Sequence, residues 1–87
     1  MENSKEVKVG RVAHYFPKIS VAVIVITDNP LKVGEEIRIK GHTTDITQKV
    51  KSMQIEHKKI EIADSGKSVG LEVSEPVRAN DIVYKVL

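Results

Sequence analysis

The segment Asp64-Ser65-Gly66-Lys67-Ser68 carries the residue types that end a phosphate-binding loop. In such a loop the backbone amides cradle phosphate, the lysine neutralises it and the serine ligates magnesium. The first glycine of the motif would stand at position 61, which is Glu61, and a helix should follow Ser68. Residues 69–73 instead have the alternating pattern of a strand. The sequence therefore predicts an ordinary turn here and no nucleotide hydrolysis.

The three imidazoles, His14, His42 and His57, do not have the spacing of metal ligands on one helix or hairpin. His42 can form a small polar cluster with Thr43 and Asp45 in one loop, although such a loop is more often simply solvated. No Ser-His-Asp arrangement follows from the spacing, and the chain has no cysteine. We therefore expect no catalytic residue, metal or cofactor, and no enzyme activity.

A contact surface is indicated by His14-Tyr15-Phe16-Pro17-Lys18, at the tip of a predicted hairpin. This segment places two of the three aromatic side chains beside a cation, and such groups can stack bases and hold backbone phosphate. The competing interpretation is that Tyr15 and Phe16 plug one mouth of the fold. The candidate binding residues of this segment are His14, Tyr15, Phe16 and Lys18.

Strands must position these residues, because turn signals interrupt the chain at short intervals. The predicted strands cover residues 5–16, 19–27, 35–40, 46–57, 60–63, 68–73 and 81–86. Gly10 permits a bulge in the first strand, and the unbroken apolar run of residues 21–26 predicts a strand buried on both faces. The pattern contains no βαβ unit and predicts an all-β fold, a small closed antiparallel β-barrel of about six to seven strands.

Composition limits the size, location and class of the protein. With 87 residues the chain is predicted to be one domain, residues 1–87, in which residues 1–4 are candidates for disorder. Its core must be aliphatic, because aromatic residues make up 3% of the chain. The lack of cysteine fits a reducing cytoplasm, and the longest apolar run is too short to cross a bilayer. We expect a cytoplasmic protein with no membrane contact.

Positive charge is concentrated in residues 32–59, which contain seven basic and four acidic side chains. Such asymmetry can present a phosphate-binding surface. Lysines on exposed strands also discourage pairing between sheet edges. The second explanation is the preferred one.

Turn residues and strand residues alternate along three segments of the chain, residues 31–41, 49–53 and 65–71. The first and third of these segments contain glycines. The first has the pattern apolar-Gly-acidic-acidic-apolar-x-apolar-x-Gly. In this order they resemble the second domain of translational GTPases such as elongation factor Tu, over residues 7–86. The resemblance implies a non-catalytic binding module whose partner is tRNA, rRNA or another translation-associated ribonucleoprotein.

In elongation factors, the strand that matches residues 49–59 lines the pocket for the aminoacylated end of tRNA. The acidic residue that packs against the terminal nucleotide is replaced here by Gln54, and the basic residue shortly after it by His57. These departures argue against capture of aminoacyl-tRNA and leave general RNA contact as the implied role. The residues implied for it are Lys49, Lys51, Gln54, His57, Lys58 and Lys59.

The hairpin of residues 14–18, placed before the long apolar strand, also resembles the C-terminal domain of collagenase-like peptidases, a family linked to RNA modification. This resemblance implies an accessory protein-interaction domain that serves a separate enzyme subunit by docking or by positioning substrate. RNA binding is the main hypothesis, and the accessory domain is its alternative.

Overall fold

The computed structural model describes residues 5–87, which form ten β-strands. Residues 1–4, the candidates for disorder, lie outside the described residues. The strands are β1 (Glu6–Phe16), β2 (Val21–Ile26), β3 (Leu31–Lys32), β4 (Glu36–Lys40), β5 (Asp45–Lys49), β6 (Met53–Ile55), β7 (Lys58–Ile60), β8 (Ile62–Ala63), β9 (Ser68–Glu72) and β10 (Ile82–Val86). The described residues contain no helix that is long and apolar enough to cross a membrane.

The strands form one eight-stranded sheet, in the order β5-β4-β10-β1-β2-β9-β6-β7, and a separate pair, β3-β8. The paired strands run antiparallel, so the prediction of an all-β antiparallel domain is confirmed. The predicted closed barrel is not found among residues 5–87. The ladder of backbone pairs has two ends, β5 and β7, which do not pair with each other.

The long strand β1 bends through two register shifts, one between Lys8 and Gly10 and one between Val12 and His14. The bulge predicted at Gly10 is therefore confirmed. A Cβ atom on Gly10 would overlap the carbonyl oxygen of Val25 on the neighbouring strand. Only glycine lets the two backbones approach this closely.

The strand β2 is buried on one face, and the prediction that both faces are buried is wrong. Ala22, Ile24 and Ile26 are fully buried, whereas Val21 and Val23 on the opposite face are half-buried. No second layer of described residues covers that face. An aliphatic strand therefore presents part of its side-chain surface to solvent.

The single strand predicted for residues 46–57 is also wrong, because residues 50–52 separate β5 from β6 and belong to neither strand. The side chain of Val50 is buried. Its backbone N–H donates to the carbonyl oxygen of Glu35 at 2.9 Å, and its own carbonyl oxygen accepts from Gly34 at 2.8 Å. These bonds pull the chain out of the strand and redirect it, so β6 can pair with β9.

The core is aliphatic, as predicted, and lies against the inner face of the curled sheet. Ile37 and Ile39 of β4 are fully buried while Glu36 and Lys40 are exposed, which is the alternation of a strand with one buried face. The largest fully buried side chains are Ile24, Ile26, Leu31, Ile37, Ile39 and Met53.

Gln48 of β5 joins the first edge of the sheet to the segment after β9. Its Nε2 donates to the carbonyl oxygen of Glu72 at 2.9 Å, and its Oε1 accepts from the backbone N–H of Ser74 at 2.8 Å. Two hydrogen bonds from one side chain thus link the edge strand β5 to the end of β9 and to the segment that follows it.

Candidate partner-binding surface

The tip of the β1–β2 hairpin exposes apolar side chains. Phe16 pairs with Val21 across the hairpin, and the backbone N–H of Ile19 donates to the carbonyl oxygen of Phe16 at 3.3 Å. Phe16 is 43% exposed and Ile19 is 61% exposed. The ring of His14 meets that of Phe16 edge-on, with centroids 4.4 Å apart. The tip is therefore a small apolar protrusion held by aromatic contact.

Tyr15 and Phe16 lie on opposite faces of β1, so their rings have different surroundings. Tyr15 is opposite the buried Ala22 and packs, half-buried, against the core. Phe16 lies on the other face and points away from the core. Of the predicted pair, only Phe16 offers its ring to a partner.

A row of directly opposed residues crosses five strands on the outer face of the sheet. His14 is opposite Val23, Val23 is opposite Gly70, and Gly70 is opposite Gln54. Gln54 is in turn opposite Lys59. Opposed residues point to the same side of a sheet and lie within contact distance. The fold thus brings together predicted residues from two segments that are distant in sequence.

A groove of about 360 Å³ lies between the β1–β2 and β6–β7 hairpins. We call it the outer groove. Its lining residues are Phe16, Ile19, Val21, Gln54, Glu56, His57 and Gly70. Gly70 has no side chain, so its backbone forms a bare floor between Val21 and Gln54. Phe16, Gln54 and His57 were predicted from the sequence, whereas Ile19, Val21, Glu56 and Gly70 were missed.

The turn between β6 and β7 holds two residues in the left-handed region. Glu56 has a φ of 50° and His57 has a φ of 67°, between the paired residues Ile55 and Lys58. A two-residue hairpin loop with positive φ at both positions strongly favours Asn-Gly. Glycine adopts positive φ freely and asparagine tolerates it, whereas most other residues disfavour it. The outer groove is thus bordered by a strained turn.

Two neighbouring depressions extend the outer groove toward the β5–β6 turn. The first shares Val21, Gln54 and Gly70 with the groove and adds Ser52 and Glu72. The second shares Ser52 and Glu72 with the first and is lined at its far end by Lys49 and Lys51. These three adjoining depressions, which we together call the trough, therefore range from an apolar groove to a depression lined by two lysines.

Five of the ten predicted binding residues line this trough, namely Phe16, Lys49, Lys51, Gln54 and His57, while His14 and Lys59 lie in the cross-strand row beside it. Lys18 lies beside Phe16 and Ile19 at the hairpin tip. Lys58 is opposite Ile55, which packs against the core, so it lies on the other side of β7 from Lys59. The predicted residues that the fold gathers are His14, Phe16, Lys18, Lys49, Lys51, Gln54, His57 and Lys59.

A separate polar cluster lies on β1, β4 and β5. Arg38 donates from Nε and Nη2 to the two carboxylate oxygens of Asp45, each at 2.8 Å, and from Nη1 to Glu6 at 3.1 Å. The hydrogen bonds from Arg38 hold the pKa of Asp45 below its usual range. The same bonds raise the pKa of Arg38. Asp45 is thereby engaged by Arg38, and the cluster with His42 and Thr43 was the less favoured interpretation of this loop.

The remaining sequence candidates are structural. Gly66 has a φ of 92°, and Lys67 closes its turn with a 3.2 Å bond from its backbone N–H to the carbonyl oxygen of Asp64. The strand β9 follows, as predicted, so the segment is not a phosphate-binding loop. Among residues 5–87, no three His, Asp or Glu side chains are placed to hold a metal ion.

Comparison with known proteins relates the chain to peptidases. No protein-family model matches it. It is 43% identical over 81 residues, 92% of the chain, to an uncharacterized protease of Methanocaldococcus jannaschii. It is also 35% identical over 82 residues, 93% of the chain, to a collagenase of Porphyromonas gingivalis. The chain spans about a fifth, 20%, of the length of each of these relatives.

Two solved structures of the C-terminal domain of a peptidase have the same fold as this chain. The C-terminal domain of a Geobacillus thermoleovorans protein assigned to the U32 peptidases superimposes with a TM-score of 0.84 at 21% identity, over 90% of each chain. Its selenomethionine variant gives a TM-score of 0.83 at 20% identity, over 88% of this chain and 96% of that one.

These likenesses overturn the main functional prediction, a module like domain 2 of elongation factors that contacts RNA. The sequence relatives are a protease and collagenases, and the similar fold is that of a peptidase C-terminal domain. The glycine pattern on which the prediction was based recurs in small β-domains of several kinds, so it indicated the strands without identifying the protein. The resemblance to elongation factor Tu is not confirmed, and the chain is similar to the C-terminal domain of U32 collagenase-like peptidases.

Proposed function

We propose that this chain is a non-catalytic accessory domain that docks on the catalytic portion of a collagenase-like peptidase. The observation that carries the proposal is the match of 92% of the chain to only 20% of a protease. The rest of such a relative is long enough to hold a separate catalytic portion. A domain of this size would then contribute through its surface.

The described side chains support a binding role over a catalytic one. The carboxylates of Glu6 and Asp45 are paired with Arg38. His14 packs its ring against Phe16. The exposed outer groove, in contrast, combines apolar walls with a polar border, which is the composition of a protein-binding patch.

Binding in trans tests the proposal. The collagenase of P. gingivalis is prepared whole and without the segment that matches this chain, and each form is titrated with the chain in a calorimeter. We expect the shortened protein to bind one equivalent of the chain. The whole protein should bind none, because its own domain already occupies the contact at a high effective concentration.

Two results would contradict the proposal. Absence of binding to a folded, shortened collagenase would remove the docking role. Hydrolysis of gelatin by the chain alone would show that the domain is catalytic.

A further inference from the structure

We propose that the outer groove holds an aliphatic side chain of the catalytic portion, one that is flanked by carboxylates, and that the Glu56–His57 turn keeps its strained form to make this contact. The inference rests on the proposed function and assigns its surface. The partner segment is identified by its chemistry, an apolar residue within an acidic stretch.

The first argument is the unfinished burial on the outer face. Val21 and Val23 are β-branched residues of the kind found in strands covered on both sides, yet each is only half-buried. Beside them Gly70 leaves the floor open, and Ile19 rises at one end with 61% of its surface exposed. An inserted aliphatic side chain would complete the burial that the strand pattern predicts.

The second argument is the strain at the β6–β7 turn. Glu56 and His57 both line the groove and both have positive φ. An Asn-Gly turn would relieve the strain and would leave both β-strands intact. Strain that a common sequence could remove is typical of positions kept for binding.

The third argument is the charge around the groove. Lys18 stands at the hairpin tip, Lys59 follows Gln54 in the cross-strand row, and Lys49 and Lys51 lie at the far end of the trough. Glu56 and Glu72 are the acidic lining residues. The excess of cations favours a partner with carboxylates around its apolar residue.

The aromatic content of the groove favours a protein over a nucleic acid. Single strands bind to several aromatic platforms on which successive bases stack. Of the three aromatic side chains only Phe16 lies in the groove. Tyr15 packs against the core, and Tyr84 lies on β10.

The experiment compares three variants with the native chain in calorimetric titrations of the shortened P. gingivalis collagenase. The turn variant carries His57→Gly alone, which places glycine at a positive φ and keeps the charge of Glu56 in the groove. The wall variant carries Ile19→Ser. Its matched control carries Ile62→Ser, which changes an isoleucine that is 52% exposed on β8, away from the groove.

We expect the turn variant to melt at a higher temperature than the native chain and to bind at least about ten-fold more weakly, as for the loss of an interface hot spot. The wall variant should lose affinity by a similar factor, and the Ile62→Ser control should bind like the native chain. The raised melting temperature ensures that weaker binding of the turn variant cannot reflect unfolding.

Three other outcomes would each contradict a specific part of the two proposals. If the native chain binds and both groove variants bind equally well, the surface is assigned wrongly while the proposed function stands. If the native chain itself does not bind, the proposed function fails. If a 20-nucleotide RNA displaces the collagenase and loses affinity in the wall variant, the groove is a nucleic-acid site and the acidic protein segment is the wrong occupant.

Discussion

Gly10 is the residue whose replacement should disturb the fold most directly. A Cβ atom there would overlap the carbonyl group of Val25, and backbone cannot move aside as a side chain can. We expect Gly10→Ala to lower the free energy of unfolding by about 1–3 kcal/mol, the usual cost of overpacking. Urea denaturation of the purified chain measures this change.

Gly70 provides the matched control for Gly10. Its added Cβ would lie 3.5 Å from Cγ1 of Val21, an ordinary contact distance. Gly70→Ala should therefore leave the free energy of unfolding unchanged or raise it slightly, because alanine narrows the unfolded ensemble. Equal destabilisation by the two substitutions would contradict the close approach of β1 and β2.

The Arg38–Asp45 pair should give the protein a defined acid dependence. The pKa of Asp45 is lower in the folded chain than its ordinary value of 3.8. A lowered pKa contributes stability that is fully present above the unfolded pKa and is lost as the pH falls through the folded value. We expect Asp45→Asn to lower the melting temperature at pH 6, and we expect this difference to shrink as the pH falls from 3.8 toward 2 and the native carboxylate takes up its proton.

Thermal melting of the native chain and of Asp45→Asn between these two pH values measures this dependence. Asp64→Asn is the control, because Asp64 is an exposed carboxylate in the turn before β9. A gap between native chain and Asp45→Asn that widens as the pH falls would have the wrong sign and would reject the role of the pair.

At the scale of the elements, the sequence was sufficient where a local pattern decides the structure. Ile37 and Ile39 alternate with charged residues, so the strand and its buried face followed from the period of two. Gly10 in an otherwise regular strand indicated the bulge. The turn at Gly66 followed from its neighbours Asp64 and Ser65.

The sequence was insufficient where distant parts of the chain decide the structure. The break between β5 and β6 depends on two backbone hydrogen bonds, one donated by Val50 to Glu35 and one donated by Gly34 to Val50, and neither is evident from the sequence of residues 46–57. The groove residue Gly70 could have been noticed as a glycine inside a strand. The positive φ at Glu56 could not have been noticed, because glutamate is not among the residue types enriched in the left-handed region.

Gln48 tests how the curled sheet is held together. Its side chain makes two hydrogen bonds that link β5 to the segment after β9. Gln48→Met keeps the length of the side chain and removes both bonds, so the free energy of unfolding should fall by about 1–2 kcal/mol. Hydrogen exchange at the Ser74 amide should accelerate as well, because the amide loses its acceptor.

A matched variant separates the two bonds of Gln48. Gln48→Glu retains an acceptor for the Ser74 N–H and loses the donor to the carbonyl oxygen of Glu72. Its Ser74 amide should stay more protected than in Gln48→Met. If neither variant changes the exchange rate of the Ser74 amide, the side chain of Gln48 does not hold β5 to the segment after β9.

At the scale of the whole molecule, the fold turns one face of the sheet into a core and leaves the other partly apolar. The inner face is filled by aliphatic side chains such as Ile24 and Ile39. The outer face carries half-buried valines and an exposed phenylalanine beside lysines. This division explains how a domain that covers a fifth of its relatives can fold around its own core and still leave an apolar surface for the proposed docking.

The same division predicts how salt would act on the proposed association with a collagenase-like catalytic portion. Cations at the border of an interface mainly raise the association rate, whereas apolar contacts at its centre mainly set the dissociation rate. Raising the salt concentration from 50 to 500 mM should therefore slow association by about ten-fold and change the dissociation rate little.

Lys49→Glu with Lys51→Glu should reduce the association rate and its salt dependence, and Ile19→Ser should accelerate dissociation alone. Stopped-flow fluorescence resolves both rates, and a dissociation rate that rises steeply with salt would place charge, and not the apolar groove, at the centre of the contact.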